Sequence, residues 1–576
     1  MKVLLEDYIT REKIIQRLCV LRIKKAELRQ KQYTLNSVAR KKTDVSQYSG
    51  ETKFLYSLFP PRKFWIELNK EQRENKSTFD RNKLSLKIAI SIAEKQAIAP
   101  DWLLRLNSFV KVIQLSFKNK RYKFQKPETF PIKKDEKGLE IICRPISNFC
   151  LKDKLVIGLL NKYLTDLFDD FFYEHSYAFR ARRNINGSIQ SVSHQTAISM
   201  LKEYRKSNKG ILWVAECDMK KFYDSVHHNI IKREFYSILR SVKKKYYGIE
   251  KDLRIAERLF INYLECYSFN HQVIPLNTSK EYFDKHKIKN GRFDWIEEDM
   301  IKNKIVSCKK NIWKKRIGVP QGGALSGLIA NIVLHSVDKV VLSQDQRNGL
   351  YLRFCDDMIM VNQDKDKLMN SYKEYLNQLD KIKLIVHQPS DVSDVCGKKD
   401  FWKEKSKHPF KWDSLTNRGH PWVSFVGYDI SHEGLIRIRK KSIKKEKQKQ
   451  YDKIMEVISL LKRYKPNLGE STIYKSVESR LIGMSVGRIE IWNFRTIRKE
   501  MCWLSGFSHI EDNPIIRKQL RELDFQRNHL LNILRKEIKN LDYTNSKTKS
   551  TSKYKAEQFI YKGLPFSYFG QSLIYK

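Results

Sequence analysis

Over residues 1–125 apolar positions recur three and four apart, in EDYITREKIIQRLCVLRIKKAELRQ and again in LSLKIAISIAEKQAIAPDWLLRLNSFVKVI. That period predicts helices, broken at Pro60–Pro61. From about 127 the texture changes. FPIKKDEKGLEIICRPIS predicts two short strands joined by a turn at Asp135–Gly138. Between about 150 and 430 strand-like and helical stretches alternate, the pattern of an α/β or α+β body. Ile211–Ala215 reads as a buried strand, and 240–316 as an inserted interval of helices and loops. After Gly427 the chain turns basic and helical, in IRIRKKSIKKEKQKQYDKIMEVISLLKRYK, and YTNSKTKSTSKYK (543–555) reads as a linker.

One stretch breaks its own pattern. In YLRFCDDMIMV (351–361) two acids sit between apolar runs of strand type. Adjacent carboxylates repel. The pattern predicts a β-hairpin with Asp356 and Asp357 at its turn, where a hard divalent cation would relieve the repulsion. Asp169–Asp170, in NKYLTDLFDDFF, instead reads as a structural or exposed pair on a helix. A metal site for phosphoryl transfer needs a further carboxylate from elsewhere. ILWVAECDMKKFYDSVHHNII supplies Asp218, where an apolar strand runs out; alone, that residue reads equally as a helix cap. A third segment, RIGVPQGGALSGLIANIVLHSVD, places Gly318, Pro320, Gly322 and Gly323 in a tight loop before an apolar helix. Glycines there permit close approach of backbone to a ligand, and Gln321 suits a base or sugar edge; a plain strand-to-helix turn would use the same residues.

Composition narrows the partner. Lys and Arg number 112 against 65 Asp and Glu, a formal charge of +47, and aromatics are 12 % of the 576 residues. Nucleic acid is the polyanion that such charge and stacking surface suit. The nine cysteines form no CxxC pair, which argues against a zinc ribbon or a disulfide framework and for a reducing cytoplasm. No segment is long and apolar enough to span a bilayer, and the first residues soon become charged, unlike a signal peptide. The expectation is a cytoplasmic protein with no membrane partner.

Taken in order, DMKKFYDS, VPQGGALSG and RFCDD resemble the catalytic palm motifs of reverse transcriptases, in the group II intron and bacterial lineage. RPIS (144–147) resembles the end of the fingers hairpin, SYAFRARRNI (176–185) the basic motif after it, and FVGYDISHEGLIRIRKKSIKK (425–445) the palm-to-thumb passage. The resemblance covers roughly 125–500. It implies an α+β right-hand polymerase fold, with fingers, a palm with an antiparallel sheet, a helical thumb and a helical N-terminal extension. The implied domains are 1–125 extension, 126–205 fingers, 206–435 palm, 436–542 thumb and 543–576 linker and tail.

The resemblance also implies roles. Asp218, Asp356 and Asp357, with the carbonyl of Met219, would hold two Mg²⁺ ions (Mn²⁺ as a substitute). Tyr223 would exclude a ribose 2′-hydroxyl and so select dNTPs. Arg144 and Arg180 would face the triphosphate, helped by Lys133 and Lys134, whose alternative is solvated hairpin charge. Gln321 and Gly322 would contact the nucleotide; Phe354, Cys355, Arg480 and Arg488 the primer and template. Three departures stand out: Phe354 replaces the usual Tyr, Gly327 the usual Pro, and KLIVHQPSD lacks the Lys of the family's LNxxKT, leaving His387 or another group to donate a proton. Within the family the chain is most similar to the "unknown group" reverse transcriptases of phage defence. That implies an RNA template, in particular a dedicated non-coding RNA, a DNA product, and an accessory protein or homo-oligomer. Alternatives are a maturase-type RNA-binding scaffold, a template-independent polymerase, or one primed by a tail tyrosine, Tyr568 or Tyr575, which otherwise serve as docking anchors.

Overall fold

The computed structural model describes residues 3–38, 49–74, 76, 78–185, 188–191, 193–294, 301, 313–345, 348–393, 399–464, 469–485, 503–540 and 563–574. The linker expected at 543–555 lies outside them, as do Arg488 and Tyr575. The chain divides into two compact units, one of residues 1–14 with 109–426 and one of 15–108 with 427–576. This partition by packing differs from the fivefold one expected: the stretches read as fingers and palm share a unit.

In the first unit Glu128–Lys137 (β1) and Glu140–Asn148 (β2) form the expected antiparallel hairpin. Its pairing continues to Lys137 opposite Glu140. The turn is therefore Gly138–Leu139, tighter than the four residues expected, with Gly138 at φ 60°. Helix α1 (Leu151–Phe168) follows and buries most of its circumference. Strand β3 (Leu212–Cys217) is the strand expected near Ile211.

The interval expected to hold inserted helices and loops begins within the amphipathic helix α2 (His228–Lys245), and a second amphipathic helix, α3 (Glu250–Glu265), lies inside it. Ile231, Phe235, Ile238 and Val242 line one face of α2, and Leu253, Ala256, Phe260 and Tyr263 one face of α3. The rings of Phe235 and Phe260 stack with centroids 4.0 Å apart. A short strand, β4 (Gly291–Phe293), then adds in parallel to β2.

Helix α4 (Ser326–Leu342) leads to the hairpin of β5 (Gly349–Phe354) and β6 (Asp357–Asn362). Helix α5 (Lys365–Lys381) begins on Asp364, whose carboxylate accepts from the N–H groups of Asp366 and Lys367. Strand β7 (Lys407–Trp412) closes a four-stranded sheet of order β5-β6-β3-β7, every neighbour antiparallel. Helix α5 buries Leu368, Tyr372, Tyr375 and Leu379 and packs against this sheet. The α+β class and the antiparallel palm sheet are thus present.

The second unit contains helices Gly50–Ser57 and Thr78–Glu94. It also holds the antiparallel pair β8 (Tyr428–Ser431) and β9 (Ile436–Ile438). Helices α6 (Lys440–Arg463), α7 (Glu470–Ser485) and α8 (Pro514–Lys539) share one core: Ile454, Ile458 and Leu461 meet Ile473, Val477, Leu481, Leu530 and Leu534. Helix α9 (Pro565–Ile574) is capped from another element, since buried Asp524 of α8 accepts from the N–H groups of Phe566 and Ser567. No helix among the described residues is long and apolar enough to cross a membrane.

Candidate active site

Strand β3 buries Leu212, Val214, Ala215 and Cys217 and ends one residue before Asp218. Its neighbour β6 begins at Asp357, and Cys217 stands in register with Met358. Asp218 and the β5–β6 turn therefore lie at one end of one sheet. Phe354 pairs with Asp357, so Cys355 and Asp356 alone close the hairpin. Cys355 is left-handed at φ 61°, a conformation that residues with a Cβ adopt mainly in tight turns.

Burial raises the proton affinity of the Asp356 carboxyl, and the charge of Asp218 raises it further. Asp357 is exposed. Met219 forms an antiparallel bridge with Val386. In it the carbonyl of Asp218 accepts from the N–H of His387 at 3.0 Å, while that of Met219 receives no hydrogen bond among the described residues. Two clustered carboxylates and an open carbonyl are oxygen donors of the kind a hard divalent cation takes. No three His, Cys, Asp or Glu side chains among the described residues are gathered as a metal site.

Asp218 also has basic neighbours. Its Oδ2 lies 3.5 Å from Nζ of Lys405 and 3.8 Å from Nε2 of His387, and those two nitrogens are 3.0 Å apart. Ser406 Oγ accepts from the N–H of Asp218 at 3.0 Å, and Lys407 pairs with Glu216 at 2.5 Å. Lys405, Ser406 and Lys407 thus bracket the end of β3, placed there by β7. Lys405, from the later KEKSK stretch, is thus a cation beside Asp218 although KLIVHQPSD carries no such lysine. His387 stands beside the same carboxylate.

Behind the turn lies a buried ion pair that the sequence reading passed over. Arg353 is 0 % exposed. Its Nε and Nη2 donate to both oxygens of Asp338 on α4, at 2.8 and 2.6 Å. Its Nη1 donates to Asn331 Oδ1 at 3.2 Å and to the carbonyl of Cys355 at 3.0 Å. Tyr351 donates to the same Asp338 at 2.7 Å. One guanidinium thus ties the carboxylate-bearing turn to helix α4. Removing either partner of such a pair leaves a buried charge uncompensated, at a cost of about 3–5 kcal/mol. The available signal was an Arg and an Asp inside two otherwise apolar runs.

Tyr223 packs on the turn, its Oη 2.9 Å from Cys355 Sγ. The next residue, Asp224, is buried and accepts from Gln321 Nε2 at 2.7 Å; burial pushes its carboxyl up to about 6. Gln321 also joins the β hairpin, its carbonyl accepting from the N–H of Ser147 at 2.8 Å, with Gly322 following beside Ile146. Gly318 anchors the loop: at φ +78°, a Cβ there would stand 2.8 Å from the carbonyl oxygen of Asp224. The departure at Gly327 has a steric cause, since a Cβ would lie 2.4 Å from the Phe179 ring.

Positive charge collects on this side of the sheet. Exposed Arg144 and Lys134, with Lys221, act on the Asp224 carboxyl, and burial followed by the charges of Lys221 and Arg144 lowers the Lys134 ammonium. Lys133 instead pairs with Glu136 on the exposed hairpin. Arg180 requires a correction. Its Nε donates to Asp169 at 2.7 Å and its Nη1 to the carbonyls of Tyr173 and Ser176 at 2.6 and 2.8 Å, and its side chain is 0 % exposed. Its donors are spent inside the protein, so it does not present charge to a triphosphate. The same pair makes Asp169 structural, as expected, while Asp170 accepts from Lys245 on the surface.

Phe354 sits half-buried, edge-on to His194 at 6.0 Å. Arg480, on α7, and Tyr568, on α9, belong to the unit that does not contain the aspartates, and both are partly buried. On α9 it is Phe566 that is buried, 0 % exposed and edge-on to Trp503.

Residues 271–389 match the sequence model of a family described as reverse transcriptase (RNA-dependent DNA polymerase). Over 218 residues the chain is 26 % identical to the putative COX1/OXI3 intron 1 protein of Saccharomyces cerevisiae, and over 197 residues 23 % identical to Protein YkfC of Escherichia coli. These alignments take in 38 % and 34 % of this chain, and only 18 % and 36 % of the relatives' lengths. Among solved structures, apo telomerase from Candida tropicalis aligns over 82 % of this chain and 72 % of its own, at 15 % identity and a TM-score of 0.32.

Proposed function

We propose that this protein is an RNA-directed DNA polymerase that extends a primer 3′-hydroxyl with dNTPs. The observation that carries the reading is the meeting of Asp218 with the Asp356–Asp357 turn on neighbouring strands, far apart in sequence and joined only by the fold. Asp218, Asp356 and the Met219 carbonyl would hold divalent cations, with Asp357 assisting. Bound there, such ions supply activation of the hydroxyl and neutralisation of charge on the leaving pyrophosphate.

The protein's own residues do the rest. Lys405, Lys134 and Arg144 offer positive charge to a triphosphate, while Lys221 is paired with Asp294 at 3.3 Å. Tyr223 sets a wall beneath the sugar, where a 2′-hydroxyl would clash. Arg353 and Asp338 hold the turn so that its carboxylates need no reorganisation when substrate arrives. The resemblance to defence-associated enzymes supports antiphage defence as the setting, with a dedicated non-coding RNA as template.

The test is to purify the protein with its bound RNA, add Mg²⁺ and dNTPs, and sequence both the RNA and any DNA made. DNA complementary to the retained RNA supports the reading. A retained RNA with no copied DNA supports the scaffold alternative.

A further inference from the structure

A second concave site lies at the far end of β3 from Asp218. A cleft of about 750 Å³ is lined by Trp213, Lys365, Asp391, His408, Lys411 and Arg418, among others. From Trp213 to Asp218 is five residues of extended chain, about 16 Å. Whatever occupies the cleft is therefore not the nucleotide at the aspartates.

Its chemistry is specific in kind. Trp213 gives an aromatic wall, with Lys365 Nζ 4.9 Å from the ring centroid. Three cations face one carboxylate, Asp391. Lys411 is committed, donating to the carbonyl of Asn417 at 2.8 Å and lying 3.6 Å from an oxygen of Asp413, so the cations left for a ligand are Lys365 and Arg418. The guanidinium of exposed Arg418 has no partner among the described residues. Nδ1 of His408 is buried and likewise makes no hydrogen bond there. A flat aromatic surface and surplus positive charge in one cleft match a planar heterocycle carrying phosphate.

We propose that this cleft binds a nucleoside phosphate, the base against Trp213 and the phosphate at Arg418 and Lys365. The ligand is either one nucleotide of a single strand or a free mononucleotide; both present the same groups. The site does not depend on the polymerase reading, because binding needs no nucleotidyl transfer.

The full-length protein is photo-crosslinked without dNTPs in two arms, one with 8-azidoadenosine monophosphate and one with a single-stranded RNA 15-mer containing 4-thiouridine. Adducts are located by mass spectrometry. The expected result is labelling of peptides containing Trp213 or residues 407–418, reduced at least about fivefold in Arg418→Glu. The arm that labels identifies the source. Arg418 is exposed, so this variant keeps its melting temperature, and Asp356→Ala with Asp357→Ala leaves the adducts in place. No labelling of these peptides in either arm, or labelling unchanged in Arg418→Glu, overturns the proposal.

Discussion

The hydroxyl of Tyr223 lies 2.9 Å from the sulfur of Cys355, so the aromatic wall proposed beneath the sugar touches the turn that carries the carboxylates. Burial raises both the phenol and the thiol above their ordinary ranges, the thiol to about 12, so this is a contact between neutral groups. Cys355→Ala removes the contact and leaves the ring free to tilt. The expected outcome is a several-fold loss of discrimination between dNTP and NTP in kcat/KM, with Cys355→Ser close to wild type. A ratio unchanged in Cys355→Ala would show that the ring is held by packing alone.

The Arg353–Asp338 pair predicts a different phenotype. Arg353→Met strands a buried carboxylate and Asp338→Asn weakens the clamp on the turn. Each should lower the melting temperature, the former by the equivalent of about 3–5 kcal/mol. Asp338→Asn should also raise the Mg²⁺ concentration needed for half-maximal activity, because the carboxylates are less well placed. A drop in stability with an unaltered Mg²⁺ requirement would limit the pair to a structural role.

Lys405 lies 3.5 Å from Asp218 and 54 % exposed, so its removal costs the fold little. Lys405→Ala should reduce kcat by about ten- to a hundredfold while the bound RNA is retained. Steady-state kinetics on a fixed primer-template checks this, and an unchanged kcat would remove Lys405 from the chemistry.

Three buried imidazoles set the response to acid. Burial lowers His227, His228 and His335 to about 4 each. An unfolded chain protonates its histidines near 6.5, so between about 6.5 and 4 the unfolded state binds more protons. Their contribution to stability is complete above 6.5 and is lost as pH falls through that window. Asp224, raised to about 6, opposes them, since its folded form takes up a proton while the unfolded form does not. Burial raises the Asp356 and Asp524 carboxyls too, and they act in the same sense as Asp224, but the three imidazoles, whose folded and unfolded values lie furthest apart, leave a net loss. The protein should melt at a lower temperature at pH 5 than at pH 7.5; a higher melting temperature at pH 5 would show these rings to be solvated.

The two acids at the hairpin turn were legible because strand-type residues flank them, and Asp218 because an apolar run ends on it. Pairing of β3 with β6 was not: only tertiary structure makes Cys217 a neighbour of Met358. Arg180 was misread because motif position does not say where a side chain points, and its partner Asp169 had been considered separately. Lys405 was hidden by the stretch that separates it from KLIVHQPSD; the register of Glu216 with Lys407 brings it back. Arg353 went unnoticed beside two more conspicuous acids. In each case the missing information was the partner's place in space, which periodicity along one chain does not carry.

The most direct test compares the wild type with Asp356→Ala and Asp357→Ala combined, each given Mg²⁺ and labelled dNTPs or NTPs on its own bound nucleic acid. Incorporation of dNTPs by the wild type, and none by the variant, is the predicted result. Equal incorporation by both proteins, or a wild type that incorporates NTPs in preference, would contradict the account.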